Sequence, residues 1–263
     1  MDTSIIIQGP LHPLTIGTIP FYKKFGEVIV SCWENDSPEL LNSLPGDIKL
    51  VVSPYPRRPM ISRSNIHLQT ISTLNGLLCS TGEMCIKVRS DESYSDLSCF
   101  IDAMREHPDK VCCGNVYFRK EYPLHMSDHL FGTAKWRMVQ ALEWAKEHLE
   151  TNKPFTPWPE VILTTAFLTT FGVFSRSFDV PNGLYKRGLC NRRTNTPDEA
   201  LLLYRHFFLV PMRMLGKFIC RVHTNDEGRV WLDREDRNIL EWNGSSIYNS
   251  IDELLPKRSS LKM

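Results

Sequence analysis

The segment with the clearest chemical potential is Cys85-Ile86-Lys87-Val88-Arg89-Ser90-Asp91-Glu92, in which an apolar strand runs directly into charged residues. In parallel α/β sheets ligands bind at the carboxyl ends of the strands, so Arg89, Asp91 and Glu92 are expected at such an edge. A carboxylate there could hold a divalent cation that bridges a substrate diphosphate, because hard cations prefer oxygen ligands. The same charges would also suit a solvated turn, and the local pattern leaves both interpretations open.

Two further segments place acidic side chains at loop ends. Ser127-Asp128-His129 precedes a predicted helix, at a loop where Asp128 and His129 could face a pocket and bind a ligand or a metal. Glu160 follows a proline-rich loop and opens an apolar helix, where its carboxylate could act as a general base. The alternatives are a turn or cap role for Asp128, a surface position for His129 and a helix-dipole role for Glu160.

Basic residues are concentrated in the loop 182–195. Arg192 and Arg193 are candidates for binding a diphosphate, because guanidinium groups match phosphate oxygens, and the glycines of this loop predict a mobile lid. A solvated basic loop is the alternative. The segment 256–263 is predicted to be a loose basic tail with, at most, peripheral contact to a membrane surface.

The elements that must position these residues alternate between strands and helices. Asn65 is predicted to cap a helix that reaches Cys79, and Thr133 to cap a helix with Trp136, Val139, Leu142 and Leu149 on one face. The alternation predicts an α/β fold, with a mainly parallel sheet flanked by helices in a single domain over 1–255. Strands are predicted over 4–8, 27–33, 49–52, 83–89, 110–118, 208–214 and 218–222, and further helices over 97–104, 160–170 and from Pro197.

Composition excludes several classes of protein. Lysine and arginine number 31 against 30 acidic residues, so nothing supports a general binder of nucleic acid. No stretch approaches the roughly 20 apolar residues of a membrane span. The eight cysteines form no C-x-x-C pair, and the interpretation is a reduced, cytoplasmic chain. The phosphate-loop, dinucleotide-binding, G-x-S-x-G and H-E-x-x-H motifs are absent from the sequence.

The order and spacing of several blocks resemble the WavE family of lipopolysaccharide-synthesis glycosyltransferases, over roughly residues 4 to 170. The blocks are Ile5-Ile6-Ile7-Gln8-Gly9-Pro10, Val28 to Trp33, Asn65-x3-Gln69-x2-Ser72-x3-Gly76-Leu77, Lys87 to Asp91, Ser127-Asp128-His129-x-Phe131-Gly132 and Pro159-Glu160. The resemblance implies a GT-A-like, Rossmann-type fold and transfer of a sugar from a nucleotide sugar to a glycan or glycolipid acceptor.

The resemblance also implies roles for particular residues. Gln8, Gly9 and Pro10 would receive the nucleotide base, Asn65 and Gln69 would belong to the donor site, and Asp91 would bind Mn²⁺ or Mg²⁺. Glu160 would be the catalytic base, with Asp128 as the second candidate.

In the Asp-x-Asp motif that is usual in GT-A enzymes, the first position is acidic, and in this chain Arg89 stands at that position. Arg89 could neutralise a phosphate or pair with Asp91. This replacement favours the competing hypothesis of a catalytically inactive nucleotide- or glycan-binding protein. A nucleotidyltransferase is a third hypothesis, but the residues after the first strand are neither glycine-rich nor strongly basic.

Overall fold

The computed structural model describes residues 2–56, 65–115, 118, 124–151, 159–174, 197–223 and 229–233. Within these residues no helix is both long and apolar enough to cross a membrane. The predictions for the basic loop 182–195, with Arg192 and Arg193, and for the tail 256–263 lie outside the described residues.

Four parallel strands form the first half of a seven-stranded sheet. In spatial order they run β3, β2, β1, β4, with bounds β1 Thr3–Gln8, β2 Glu27–Trp33, β3 Lys49–Ser53 and β4 Met84–Arg89. The three inner strands are buried along nearly their whole length, as expected for strands covered on both faces, whereas the edge strand β3 is largely exposed. The helices that connect them are α1 Pro13–Tyr22, α2 Pro38–Asn42 and α3 Ile66–Cys79.

The second half of this sheet contains an antiparallel strand. β7 (Phe131–Ala134) lies between β4 and β6 and is antiparallel to both, whereas β6 (Val111–Gly114) and β8 (Phe207–Val210) are parallel. A smaller antiparallel sheet joins β5 (Glu92–Tyr94) to β9 (Phe218–His223) and β10 (Arg229–Asp233). The remaining elements are α4 Ser98–Glu106, α5 Lys135–Thr151, α6 Pro159–Thr170, α7 Pro197–His206 and a 3₁₀ turn at Met212–Met214.

Two apolar cores cover the two faces of the large sheet. Alternate residues of β1 enter different cores, because side chains along a strand point to opposite faces. Ile6 belongs to the core that contains residues of α3, α5, α6 and α7, whereas Ile5 and Ile7 belong to the core that contains residues of α1 and α4. The predicted α/β architecture, a mainly parallel sheet between helices, is confirmed.

Some local predictions were wrong. Thr133 does not cap a helix: it lies in β7, where its hydroxyl donates to the Lys110 carbonyl and accepts from Arg137. Leu142 and Leu149 of the predicted face of α5 are buried in the core, as are Met138 and Ala141, and Val139 packs against it. Trp136 is 53% exposed, so its place on the buried face was predicted wrongly.

Candidate functional site

The candidate site lies where β1 and β4 end. Gln8 and Arg89, the last residues of these strands, are directly paired in the sheet register. Beyond them, the Ser90 amide donates to the Gln8 carbonyl (2.9 Å) and the Ser90 hydroxyl donates to the Pro10 carbonyl (2.6 Å). Gly9 has φ 127°, and a Cβ there would lie 2.6 Å from Ser90 Oγ, so the close approach requires glycine. The structure therefore brings together two segments that the sequence singled out separately.

The antiparallel direction of β7 brings Asp128 and His129 to the same edge. Lys87 of β4 pairs with Phe131 of β7, so the chain enters β7 beside the carboxyl end of β4. The residues that precede Phe131 must then lie near Arg89. β7 was not predicted, because a strand of four residues that includes Gly132 and Ala134 carries little strand signal.

Arg89 and Asp91 form a bidentate ion pair. Arg89 Nε and Nη2 donate to the two carboxylate oxygens of Asp91, each at 2.9 Å, and Nε also lies 3.3 Å from Glu92 Oε1. Burial opposes ionisation of Asp91, but the adjacent Arg89 charge outweighs it and lowers the pKa of Asp91 to about 2. Of the two roles that the sequence left open for Arg89, pairing with Asp91 is the one the structure contains.

His129 connects two buried carboxylates. Its Nδ1 forms a hydrogen bond with Glu92 Oε1, and its Nε2 lies 3.5 Å from Asp128 Oδ1. Glu92 also accepts a hydrogen bond from the Tyr94 hydroxyl at 3.1 Å. Burial disfavours the charged form of Asp128, but the charges of His129, Lys87 and Arg89 outweigh this penalty and hold the pKa of Asp128 below its usual range.

Helix α3 contributes amide side chains to the site. It follows a parallel strand, so its first turns begin at the carboxyl edge of the sheet. Gln69 Nε2 donates to Asp128 Oδ2 (3.0 Å) and to Asn65 Oδ1 (3.1 Å). Asn65 is the N-cap residue of this helix, as predicted, but its side chain makes no cap bond to the helix and instead accepts a hydrogen bond from Gln69.

Lys87 is a member of the site that the sequence analysis did not assign. The side chain is fully buried, its Nζ donates to the Asp128 carbonyl, and the ammonium lies 5.4 Å from the centre of the Phe131 ring. Burial lowers the pKa of Lys87 to about 8, although the Asp128 carboxylate opposes this shift. The available signal was a lysine between Ile86 and Val88, inside an otherwise apolar strand.

Glu160 lies beside His125 at the start of α6. Glu160 Oε2 is 3.6 Å from His125 Nε2, and the helix is attached to this segment by a hydrogen bond from the Met126 amide to Thr164 Oγ1 at 3.1 Å. Glu160 therefore lies beside the segment that carries Asp128, because its partner His125 comes three residues before Asp128 in the sequence. The predicted placement of Glu160 in one cleft with Asp91 stays a prediction.

The contacts of the carboxylates do not favour a divalent metal on Asp91. Both oxygens of Asp91 accept from Arg89, the oxygens of Glu92 are engaged by His129 and Tyr94, and Asp128 accepts from Gln69. Over the described stretches of the chain, no three histidine, cysteine or acidic residues are grouped so that they could hold a metal ion. One carboxylate already paired with a guanidinium is a poor cage for Mg²⁺ or Mn²⁺. Metal binding by Asp91 stays a prediction that these contacts do not support.

Comparison with known proteins identifies no family. No protein-family model and no curated protein matches the chain. Among solved structures, HddC from Yersinia pseudotuberculosis aligns with a TM-score of 0.37 and 10% identity, over 53% of this chain and 79% of HddC. The structure of HddC complexed with GMP-PN aligns with the same values. A likeness this distant does not indicate what the chain does.

Proposed function

We propose that the chain is a glycosyltransferase that moves a sugar from a nucleotide-sugar donor to a glycan or lipopolysaccharide-type acceptor. The observation that carries the proposal is the polar network at the carboxyl ends of β1 and β4, in which Gln69, Asp128, Arg89 and Asp91 are linked through His129 and Glu92. The resemblance of the sequence blocks to the WavE family supports the same activity, because those blocks supply most of this network.

The donor would lie along the edge formed by the Gln8-Gly9-Pro10 turn and Arg89. Gly9 lets the backbone of this turn approach Ser90 closely, which holds the turn against the end of β4. The charge of the diphosphate is assigned to guanidinium groups, namely Arg89 and the sequence candidates Arg192 and Arg193, because Arg matches phosphate oxygens. No step of the proposed reaction passes through a metal ion, since the carboxylates present do not fit one.

Glu160 is the proposed catalytic base. Its carboxylate would take the proton of the acceptor hydroxyl as that oxygen bonds to the anomeric carbon, while the bond to the diphosphate breaks and the diphosphate leaves with the electron pair. Asp128 is less suited to this role, because a carboxylate whose pKa is held low is a weak base. The ionised Asp128 instead orients Gln69 and His129.

A second candidate function is a nucleotide- or glycan-binding protein without catalysis. The bidentate pair of Arg89 with Asp91 favours it, because an arginine stands where the usual motif has an acid and it occupies the remaining carboxylate. The two candidates predict the same ligands but different turnover.

A binding and turnover experiment separates these functions. Wild-type protein is titrated with UDP-glucose, UDP-galactose and GDP-mannose, with and without Mn²⁺, and release of nucleoside diphosphate is followed with a lipopolysaccharide core oligosaccharide as acceptor probe. Binding with acceptor-stimulated release supports the transferase, and binding without release supports the binding protein. Absence of binding to every nucleotide sugar would contradict the transferase and a nucleotide-binding protein, and would leave only a glycan-binding protein.

A further inference from the structure

We infer that Gln69 recognises a sugar: its side-chain carbonyl accepts a hydrogen bond from a hydroxyl group of the bound ligand. The inference rests on the proposed function and adds to it the residue that reads the sugar and the chemistry by which it does so.

The orientation of the Gln69 amide is fixed by its neighbours. Its nitrogen lies 3.0 Å from Asp128 Oδ2 and 3.1 Å from Asn65 Oδ1. An ionised carboxylate can only accept hydrogen bonds, so the nitrogen end of the amide must face Asp128. Turning the amide over would place two acceptor oxygens against each other. Both hydrogens of the amide nitrogen are therefore used within the protein.

The carbonyl end of the same amide is left without a partner. Gln69 is only 6% exposed, and its buried Oε1 has no hydrogen-bond partner among the residues that the structure describes. Buried side-chain acceptors of this kind are rare in folded proteins, because a lost hydrogen bond to water must be replaced. The side-chain carbonyl of Gln8, at the end of β1, is buried and unpaired in the same way.

The chemistry of the unpaired atoms selects the kind of ligand group. Both are carbonyl oxygens, so the ligand must bring hydrogen-bond donors. A diphosphate at neutral pH brings acceptors, whereas a pyranose brings a donor at each hydroxyl. The N–H groups of a nucleobase are the other donors that could reach these atoms, and measurements with UDP and GDP separate them from a sugar hydroxyl.

The test is a thermodynamic cycle that combines removal of single ligand hydroxyls with substitution of Gln69. Calorimetry measures the affinity of wild type and of Gln69→Met for UDP-glucose, GDP-mannose, their monodeoxy analogues, UDP and GDP. Methionine keeps the length of the side chain without its polar atoms. Gln140→Met, at an exposed position of α5, is the matched control. We expect removal of one particular hydroxyl to weaken binding by about tenfold or more in wild type and in the control, and by less than about twofold in Gln69→Met.

The remaining outcomes also decide the matter. An equal loss of UDP or GDP affinity in Gln69→Met would assign the residue to the base or phosphate, and would overturn the inference while the proposed function stands. If Gln69→Met does not fold, the wild-type analogue series alone decides, and equal affinity for every monodeoxy analogue overturns the inference. Methyl glycosides tested by NMR separate an acceptor sugar from a donor sugar: binding of these alone, lost in Gln69→Met, supports the contact even if no nucleotide sugar binds. If neither ligand class binds wild type, inference and function both fail.

Discussion

At the scale of single residues, the pairing of Arg89 with Asp91 determines how charge is arranged at the site. A bidentate guanidinium–carboxylate pair fixes the orientation of both side chains, because its two parallel hydrogen bonds are directional. With Glu92 alongside, Arg89 keeps its charge at the end of β4, where a diphosphate would need it. Asp91 is therefore a residue that positions Arg89, and its substitution should affect stability as well as binding.

We expect Asp91→Asn to lower the free energy of unfolding at pH 7 by about 2 kcal/mol. This figure follows because the pKa of Asp91 is about 2 in the folded protein, compared with an ordinary value of 3.8 in the unfolded chain. Because the pKa of the folded protein is depressed, this stabilisation is present above about pH 4 and is lost as the pH falls towards 2. Urea titrations of wild type and variant at several pH values measure it. Asp102→Asn, in an exposed pair with Arg105, is the control and should change little. A difference between wild type and Asp91→Asn that is independent of pH would contradict the argument.

The proposed base gives a second prediction at this scale. Glu160→Gln keeps the size of the side chain and much of its hydrogen bonding but cannot accept a proton. We expect kcat to fall by roughly 10²–10⁴ while donor affinity is nearly unchanged. Steady-state kinetics and calorimetry measure the two quantities, with Glu143→Gln at an exposed position of α5 as the control. Normal turnover in Glu160→Gln would transfer the role of base to Asp128.

At the scale of secondary structure, α3 connects the core to the site. One face of the helix packs on β1 and β2 through Leu74, Leu77 and Gly76, and its first turns carry Asn65 and Gln69. Gly76 permits this close packing, because a Cβ there would lie 2.6 Å from Ile6 Cγ2 and 3.2 Å from Ser31 Cβ. The position of Gln69 relative to Asp128 therefore depends on a contact two turns further along the helix.

We expect Gly76→Ala to destabilise the protein by about 1–3 kcal/mol, because the added methyl group overpacks the interface between α3 and the sheet. Thermal unfolding measures the effect. Gly17→Ala in α1 is the matched control: its Cβ would meet nothing within 4 Å, so removal of glycine should stabilise the protein by about 0.5–1 kcal/mol. If both variants gain stability, the close contact at Gly76 does not constrain α3.

At the scale of the whole molecule, the site is assembled from separate parts of the chain. The turn after β1, the end of β4, the start of α3 and the segment before β7 meet at one sheet edge. A ligand bound there would contact several of these parts in the folded state and none of them together in the unfolded chain. Binding must therefore stabilise the fold as a whole.

We expect a nucleotide sugar present at about 100 times its Kd to raise the free energy of unfolding by about 2.7 kcal/mol. For a chain of this size the midpoint of thermal unfolding should rise by roughly 5–10 °C, since each kcal/mol is worth about 2–4 °C. Differential scanning calorimetry with increasing ligand measures the shift. A midpoint that does not change at saturating UDP-glucose, UDP-galactose and GDP-mannose would argue against a nucleotide-sugar site.

The sequence by its local patterns indicated the four parallel strands of the first half of the chain, the helices α3 and α4 and the α/β class, whereas α1, α2 and β5 were not predicted. Ile5-Ile6-Ile7 and the segment 27–33 are local patterns. A short apolar run between turn residues predicts a strand without knowledge of the strand that pairs with it. The observed β2, Glu27–Trp33, has the bounds that its sequence predicts. For the same reason, the charged residues after β4 could be identified as a candidate site before any contact was known.

Only the tertiary structure decided which of these residues meet. The hydrogen bond between Gln69 and Asp128 joins residues 59 positions apart, and it exists because β7 runs antiparallel beside β4. The direction of a short strand is set by long-range pairing and burial, which local periodicity does not encode. The buried Lys87, the pairing of Arg89 with Asp91 and the unpaired carbonyl of Gln69 likewise follow from that arrangement, because each depends on what the fold packs against it.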